Sequence, residues 1–329
     1  MTTKIRFNFR DASVLGLGVA GLLPLLLPDY FVFQATMFLV YAVALLGLNI
    51  LVGFNGQISL GHGAFFALGA YAAAIALEHL GWPYWVTPAL AGVVCFVVGF
   101  LLGFPALRLG GIYLALATFA LALATPQFIK HKAWQPITGG VQGIVIMKPD
   151  APVESVLGLA VNGDRWLYLF SLLTTMMMFW LASNLLHGRM GRALIAIRDH
   201  PTAAAAMGID LPKVKSAAFG LSSAFSGVAG SMFALAVGFV APDSFPGFLS
   251  ITLLVGVVVG GLATMSGPLF GALFVLMVPN LAEQISKSAP SAIYGLLLIL
   301  AMALMPGGVA GTARDWFARW NARRQTRVG

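Results

Sequence analysis

Long apolar runs, separated by short polar or glycine-rich breaks, make up most of this chain. Unbroken apolar runs differ from the alternating pattern of a transmembrane β-barrel, and about 20 apolar residues suffice for a helix to cross a bilayer. The pattern therefore predicts an all-α integral membrane protein, a polytopic helical bundle. The expected helices cover residues 14–27, 31–52, 59–77, 86–107, 112–129, 166–186 and 217–240, an interrupted stretch at 248–281, and 292–305.

The interrupted stretch at 248–281 contains the break ATMSGP at residues 263–268. One long, broken helix would place the arginines near the C-terminus outside, whereas two short helices joined by a cytoplasmic turn place them inside. The positive-inside rule favours two helices. We therefore expect about ten transmembrane helices, or eight or nine if some segments are re-entrant, and a basic cytoplasmic tail at residues 308–329.

Composition supports a single transmembrane domain over residues 1–329. The chain is 59% hydrophobic and 9% charged, whereas soluble domains carry about 25% charged residues. The net charge of +8 arises from basic residues near the ends of apolar runs, which fits membrane orientation better than nucleic-acid binding. Cys95 is the one cysteine and lies in an apolar run, so no disulfide within the chain is expected.

The orientation of the helices follows from the first apolar run. Three basic residues between positions 4 and 10 precede residues 14–27, as in a signal peptide, but no small-residue cleavage site follows. We expect a retained first helix and a cytoplasmic N-terminus. Counting helices then places the polar region 130–165 outside, as a periplasmic loop, and the polar stretch 188–215 inside.

The stretch 188–215, GRMGRALIAIRDHPTAAAAMGIDLPKVK, is a polar island in an apolar chain. It predicts a helix of about two turns, because Asp199 or His200 can cap it, Pro201 suits its first position and Gly208 ends it. A short alanine-rich helix is marginal alone in water. We therefore expect it to dock against another protein surface.

A second candidate is the glycine-rich segment NILVGFNGQISLGHGAFFALGAY at residues 49–71. Polar groups at membrane depth are costly unless they line a cavity or pair with neighbours. The segment is either the kinked start of a pathway-lining helix or a turn followed by a tightly packed helix, with His62 better suited to packing or capping than to ligand binding. The candidate residues for the translocation pathway or helix packing are Gly56, Gln57, Ser59, Gly61, His62 and Gly63.

A third candidate lies in the predicted periplasmic loop, where Thr138, Gly139, Gly140 and Gly143 form part of the motif TGGVQG. Closely spaced glycines are typical of tight turns. The backbone amides there could meet a ligand or partner, and an ordinary surface loop is the alternative.

Charged groups are missing from the middle of every apolar run. Ion-coupled carriers usually bury ionisable groups at that depth, so their absence argues against such a carrier. The sequence also has no phosphate-binding loop, no metal-ligand cluster and no credible catalytic triad. We expect a pore or carrier that is not an enzyme, holds no metal or cofactor and draws energy from a partner.

Several segments resemble the permeases of branched-chain amino-acid ABC importers, specifically LivM-like subunits. These segments are LNILVGFNGQISLGHGAFFALGAY, YLALATFALA, TGG-x-x-G, the run from GRALIAIRDHPTAAAAMGIDLPKVK to APDSF, and VVGGLATMSGPLFGALF. They occur in the family's order and cover roughly residues 38–281. The resemblance implies an ABC importer permease in the bacterial inner membrane.

The resemblance also implies partners: a second, LivH-like permease, two cytoplasmic ATPases that bind the ATP, and a periplasmic substrate-binding protein. It makes the stretch 188–215 the cytoplasmic coupling loop that contacts the ATPase, although His200-Pro201 departs from the Glu or Asn common in the family. The substrate would be a branched-chain or other small amino acid; related permeases import urea or short amides, and a passive channel or ion-coupled carrier is the other alternative. The coupling role maps onto Arg192, Arg198, Asp199, Pro201, Ala204, Gly208 and Lys215.

Overall fold

The computed structural model describes residues 28–106, 111–151, 155–156, 159–160, 162–285, 295–296, 298–300, 303 and 307–312. The α-helices in this part of the chain are α1 Asp29–Asn49, α2 His62–Glu78, α3 Thr87–Ala106, α4 Ile112–Ile129, α5 Gln135–Thr138, α6 Gly163–His187, α7 Arg189–Asp199, α8 Pro201–Ala206, α9 Leu211–Val237, α10 Phe248–Gly260 and α11 Gly267–Ile285. Helix α1 continues directly into a π-helix, Ile50–Phe54.

Six helical segments of the described residues are long and apolar enough to cross a membrane, and α2 and α11 contain shorter apolar helices. The six segments are Asp29–Phe54, Tyr84–Phe104, Ile112–Ile129, Gly163–His187, Leu211–Val237 and Pro242–Gly260. The chain is therefore a helical, multi-pass membrane protein. The predicted helix at 14–27 lies outside the described residues, and the one at 292–305 is described only at 295–296, 298–300 and 303.

Most predicted helices lie close to their expected bounds, and the differences have local causes. Residues 248–281 form two helices, α10 and α11, separated at Gly260 and Gly267. Ser59 precedes α2 rather than starting it. Helix α9 begins six residues earlier than expected, because the carboxylate of Asp210 accepts a hydrogen bond from the backbone N–H of Lys213 (3.1 Å) and caps the helix.

The prediction of an all-α fold omitted short strands in the polar segments. Strands β1 Ile144–Val145 and β4 Phe239–Val240 pair antiparallel, as do β2 Ser155–Val156 and β3 Leu159–Ala160. Each strand has two residues, too few to give a periodic sequence signal. The first pair joins the predicted periplasmic loop to the end of α9.

Helix α9 is central and packs against α1, α2 and α3. Its glycines allow this, because a Cβ on Gly230 would lie 2.0 Å from the carbonyl oxygen of Phe66. Likewise, a Cβ on Gly69 of α2 would lie 2.2 Å from the carbonyl oxygen of Gly227. Small residues let helix backbones approach closely in lipid, and here they bring α2 and α9 into direct backbone contact.

Candidate coupling surface and the glycine-rich segment behind it

The predicted coupling segment contains two helices, α7 and α8, of which only α8 was expected. Helix α7 buries Gly191, Leu194 and Ile197, which recur every three residues and so share one face of the helix. The same spacing is readable in the sequence as an amphipathic signal. The charged residues between these positions make the segment polar as a whole, so the sequence prediction covered α8 alone.

Helix α8 has the predicted start and end, and its cap is one of the two predicted residues. Pro201 is its first residue, and His200, rather than Asp199, holds the N-cap position without a side-chain hydrogen bond. Gly208 follows the helix with φ +85°, and its N–H donates to the carbonyl of Ala205 (3.0 Å). That left-handed conformation favours glycine.

The exposed surface of α8 is small and mostly apolar. Pro201 and Gly208 are exposed, but Ala204 is only 4% exposed and faces the protein itself. Met207, which is not among the predicted coupling residues, is 84% exposed beside the helix. In the sequence, a large apolar residue within a polar segment is the signal that could have identified it.

The charged candidates differ in their surroundings. Arg192 is exposed, with its Nη1 3.5 Å from the carbonyl oxygen of His187, and Lys215 is half-buried. Asp210, at the start of α9, also bonds Lys213 Nζ (2.8 Å). The side-chain hydrogen bond from Lys213 holds the pKa of Asp210 below its ordinary value, because it favours the charged carboxylate.

Arg198 is the candidate that joins the coupling segment to the glycine-rich segment. Its Nε donates to Asp199 (3.0 Å), and its Nη1 donates to the carbonyl of Gly53 at the end of the π-helix (3.0 Å). Gly56, with φ +71°, lies against the side chain: a Cβ there would be 2.9 Å from Arg198 Cγ. The coupling segment and the glycine-rich segment, which are about 140 residues apart in sequence, are therefore in direct contact.

The remaining glycine-rich candidates lie at helix contacts. His62 is fully buried, and its Nε2 is 2.5 Å from the hydroxyl of Ser222. A Cβ on Gly61 would be 3.1 Å from Thr118, and one on Gly63 would be 2.5 Å from Ser250 Oγ. The same hydroxyl of Ser250 accepts a hydrogen bond from the N–H of Gly63 (2.9 Å).

Two further candidates of this segment, Ser59 and Gln57, occupy the turn before α2. Ser59 is fully buried and accepts a hydrogen bond from the N–H of Gly61 (3.3 Å), whereas Gln57 is half-buried. Close packing of α2 is thus visible in the structure. Whether these residues also line a pathway remains a prediction.

The motif TGGVQG forms an ordered turn near the end of α9. Gly139, Gly140 and Gly143 have φ angles of +70°, +58° and +74°. The hydroxyl of Thr138 accepts a hydrogen bond from the N–H of Gly140 (3.2 Å), and a Cβ on Gly143 would lie 2.4 Å from the carbonyl oxygen of Val240. Backbone geometry alone accounts for these glycines, and a role in binding stays a prediction.

A family model assigns the fold a function class. Residues 30–303 match the model described as the permease component of the branched-chain amino acid transport system. The chain belongs to this family. The match covers all the helices described above except the first residue of α1.

Individual relatives agree with the family match. The permease protein LivM of the high-affinity branched-chain amino acid transport system of Salmonella typhimurium is 32% identical over 303 residues, covering 85% of this chain and 70% of the relative. LivM of Escherichia coli is 32% identical over 299 residues, with the same coverage. LivH of Escherichia coli is 25% identical over 293 residues, covering 82% of this chain and 91% of the relative. No solved structure matches the chain.

Membership in the permease family fits the chemistry of the described residues. Among them, no group of three or more histidine, cysteine, aspartate or glutamate side chains is placed to hold a metal ion. The fully buried polar side chains that the structure describes are threonines, serines, asparagines and one histidine. Such groups can pair with backbone inside a bilayer without carrying charge.

Proposed function

We propose that this chain is the permease subunit of an ABC importer that moves branched-chain or other small amino acids across the inner membrane. The observation that carries the proposal is the exposed helix α8, held on a polar segment at the end of an apolar bundle of this family. A helix seated in a moving partner can transmit that movement to the helices behind it. The free energy would come from ATP bound and hydrolysed by the partner, so the chain itself needs no cofactor.

The proposed arrangement in the membrane has ten transmembrane helices, with both termini in the cytoplasm. Residues 188–215 form the cytoplasmic coupling loop, residues 130–165 the periplasmic loop and residues 308–329 a basic cytoplasmic tail. The distribution of basic residues supports this orientation. The whole chain forms a single permease domain.

The proposed complex contains a second, LivH-like permease, two ATPase subunits and a periplasmic binding protein. The similarity of this chain to both LivM and LivH supports a pair of related permeases. In this assembly, the exposed part of α8, together with Met207, is the surface offered to an ATPase. Arg192, exposed on α7, and Lys215, half-buried on α9, can contact acidic groups of the partner.

The proposed substrate class is supported by the character of the buried polar groups. Branched-chain amino acids are zwitterions with small apolar side chains, and a weakly polar path without fixed charges would pass them without tight retention. Relatives named for branched-chain amino acids support this choice. Urea and short amides are the second candidate class, since the same path would suit small polar solutes.

Reconstitution tests the proposal directly. The chain is placed in liposomes alone, and in a second preparation together with its cognate second permease, ATPases and binding protein. We expect uptake of labelled leucine only in the complete preparation and only with ATP. Uptake by the chain alone would contradict the proposal, and ATP-dependent uptake of urea or an amide but not leucine would replace the substrate class.

A further inference from the structure

We propose that Arg198 is a positioning residue that transmits movement of the coupling segment to the transmembrane helices through the end of α1. We call residues 47–56 the α1 junction. This inference rests on the proposed function, because it concerns how an ATPase-driven movement of α7 and α8 reaches the bundle. The movement would pass through the hydrogen bond from Arg198 to the carbonyl of Gly53, which lies in the π-helix Ile50–Phe54.

The π-helix Ile50–Phe54 makes the α1 junction a distinctive place in the fold. π-Helical turns are rare and occur often at functional sites, because the wider turn disturbs the regular hydrogen bonds of an α-helix. The last carbonyls of a helix have no partner within it. The carbonyl of Gly53 is one of these, and Arg198 Nη1 supplies its donor (3.0 Å).

The contact between Arg198 and the junction is both electrostatic and steric. A cation near a helix C-terminus is favoured by the partial negative charge of the exposed carbonyls. Gly56 lies so close to the arginine stem that a Cβ would be 2.9 Å from Arg198 Cγ. The stem thus packs on the chain just beyond the π-helix, while the guanidinium bonds its end.

A second link from the junction holds the connection between α10 and α11. Asn49 Nδ2 donates to the carbonyl of Thr264 (2.7 Å), and the N–H of Ala263 donates to Asn49 Oδ1 (3.0 Å). Ala263 has φ +54°, a left-handed conformation that is uncommon for a residue other than glycine. Asn49 is fully buried, so its two bonds fix that turn to the end of α1.

A third link joins the junction to α9 and α2. The hydroxyl of Ser222 donates to the carbonyl of Gly47 (2.6 Å), and His62 Nε2 lies 2.5 Å from the same hydroxyl. If His62 Nε2 carries the proton, it donates to Ser222, since the hydroxyl hydrogen is already engaged with Gly47. The α1 junction therefore contacts α7 on one side and the α10–α11 turn and α9 on the other, and it is linked to α2 through Ser222.

The geometry gives the junction a specific mechanical consequence. If α7 moves relative to the bundle, either the bond between Arg198 and Gly53 breaks or the π-helix moves with α7. In the second case, Asn49 and Gly47 transfer the displacement to the helices bonded to them. The amide of Asn55, buried at the end of the π-helix, has no hydrogen-bond partner among the described residues, so it does not fix the junction in this position.

The test compares transport with ATP hydrolysis in the reconstituted importer. In Arg198→Gln the shorter, uncharged side chain no longer reaches Gly53, so we expect uptake per ATP hydrolysed to fall about tenfold, in line with loss of a hydrogen bond to a charged group. Assembly with the ATPases and the hydrolysis rate should stay within about twofold of the unchanged chain, because α8 and Met207 remain in place. Arg198→Lys retains the charge and an N–H donor, so its uptake per ATP hydrolysed should lie between that of Arg198→Gln and that of the unchanged chain.

Two further variants separate transmission from charge and from docking. Gly56→Leu displaces the stem of Arg198 but changes no residue of the coupling segment. It should reduce uptake per ATP hydrolysed as Arg198→Gln does. Arg189→Gln is the matched control, because it removes an exposed arginine from the start of the same helix and should leave the ratio unchanged.

Three results would overturn the proposal: an unchanged ratio in both Arg198→Gln and Gly56→Leu, an equal loss in Arg189→Gln, or loss of ATPase assembly in Arg198→Gln. None of these three results would contradict the proposed importer function of the unchanged chain. The proposed function fails separately, if the unchanged chain transports leucine without any ATPase.

Discussion

At the residue scale, several buried polar side chains pair with backbone groups rather than with charges. Ser222 and Asn49 are fully buried, and each bonds a backbone group of another segment. The hydrocarbon core offers no water to replace such partners. The polar residues of the glycine-rich segment thus contribute to helix contacts, whatever further role they have in transport.

Ser222→Ala tests the importance of one such group. Removal of the hydroxyl leaves the ring of His62 without its partner in a buried site, which costs about 1–3 kcal/mol. We expect a lower midpoint of thermal unfolding for the purified chain in detergent. Ser183→Ala, which removes a less buried hydroxyl from α6, should leave the midpoint nearly unchanged, and equal shifts in the two variants would contradict the prediction.

At the element scale, local signals predicted each helix that has a strong apolar run or clear end signals. Pro201 and Gly208 predicted α8, and the length of its apolar run predicted α4 at residues 112–129. Helices α5 and α7, the π-helix and the two-residue strands were not predicted. The strands depend on partners distant in sequence, as in the pairing of Ile144 with Val240, so no local pattern reveals them.

The exposed apolar surface beside α8 gives the prediction at this scale. Met207→Asp places a charge where the ATPase is proposed to bind, and we expect the affinity of the complex for the ATPase subunits to fall about tenfold. Met147→Asp is the matched control, because Met147 is 90% exposed in the predicted periplasmic loop. ATPase binding can be measured by titration of the detergent-solubilised complex. Equal binding by Met207→Asp and the unchanged chain would exclude this surface as the ATPase-binding site.

At the scale of the whole molecule, apolar helices establish a multi-pass membrane protein, while its orientation remains a proposal. The lone cysteine offers a route to test it, because Cys95 is fully buried and should not react with a polar thiol reagent. New cysteines at exposed positions can therefore report which side of the membrane each loop faces.

The orientation predicts opposite results for two such cysteines. Lys132→Cys lies in the predicted periplasmic loop and should react with a membrane-impermeant thiol reagent in cells with a permeable outer membrane. Lys213→Cys lies at the start of α9, on the predicted cytoplasmic side, and should react only after the inner membrane is opened. Reaction of Lys213→Cys in intact cells would reverse the proposed topology.

The sequence by itself determined the fold class, most helix positions and the family, because apolar run length, capping residues and ordered motifs are local properties of the chain. Tertiary structure decided which of these segments meet. It placed Arg198 on the carbonyl of Gly53, Asn49 on the turn at Ala263 and Ser222 between Gly47 and His62. Those contacts join residues between 145 and 214 positions apart. They arise because glycines bring the backbones close, a geometry that only packing of the complete bundle can fix.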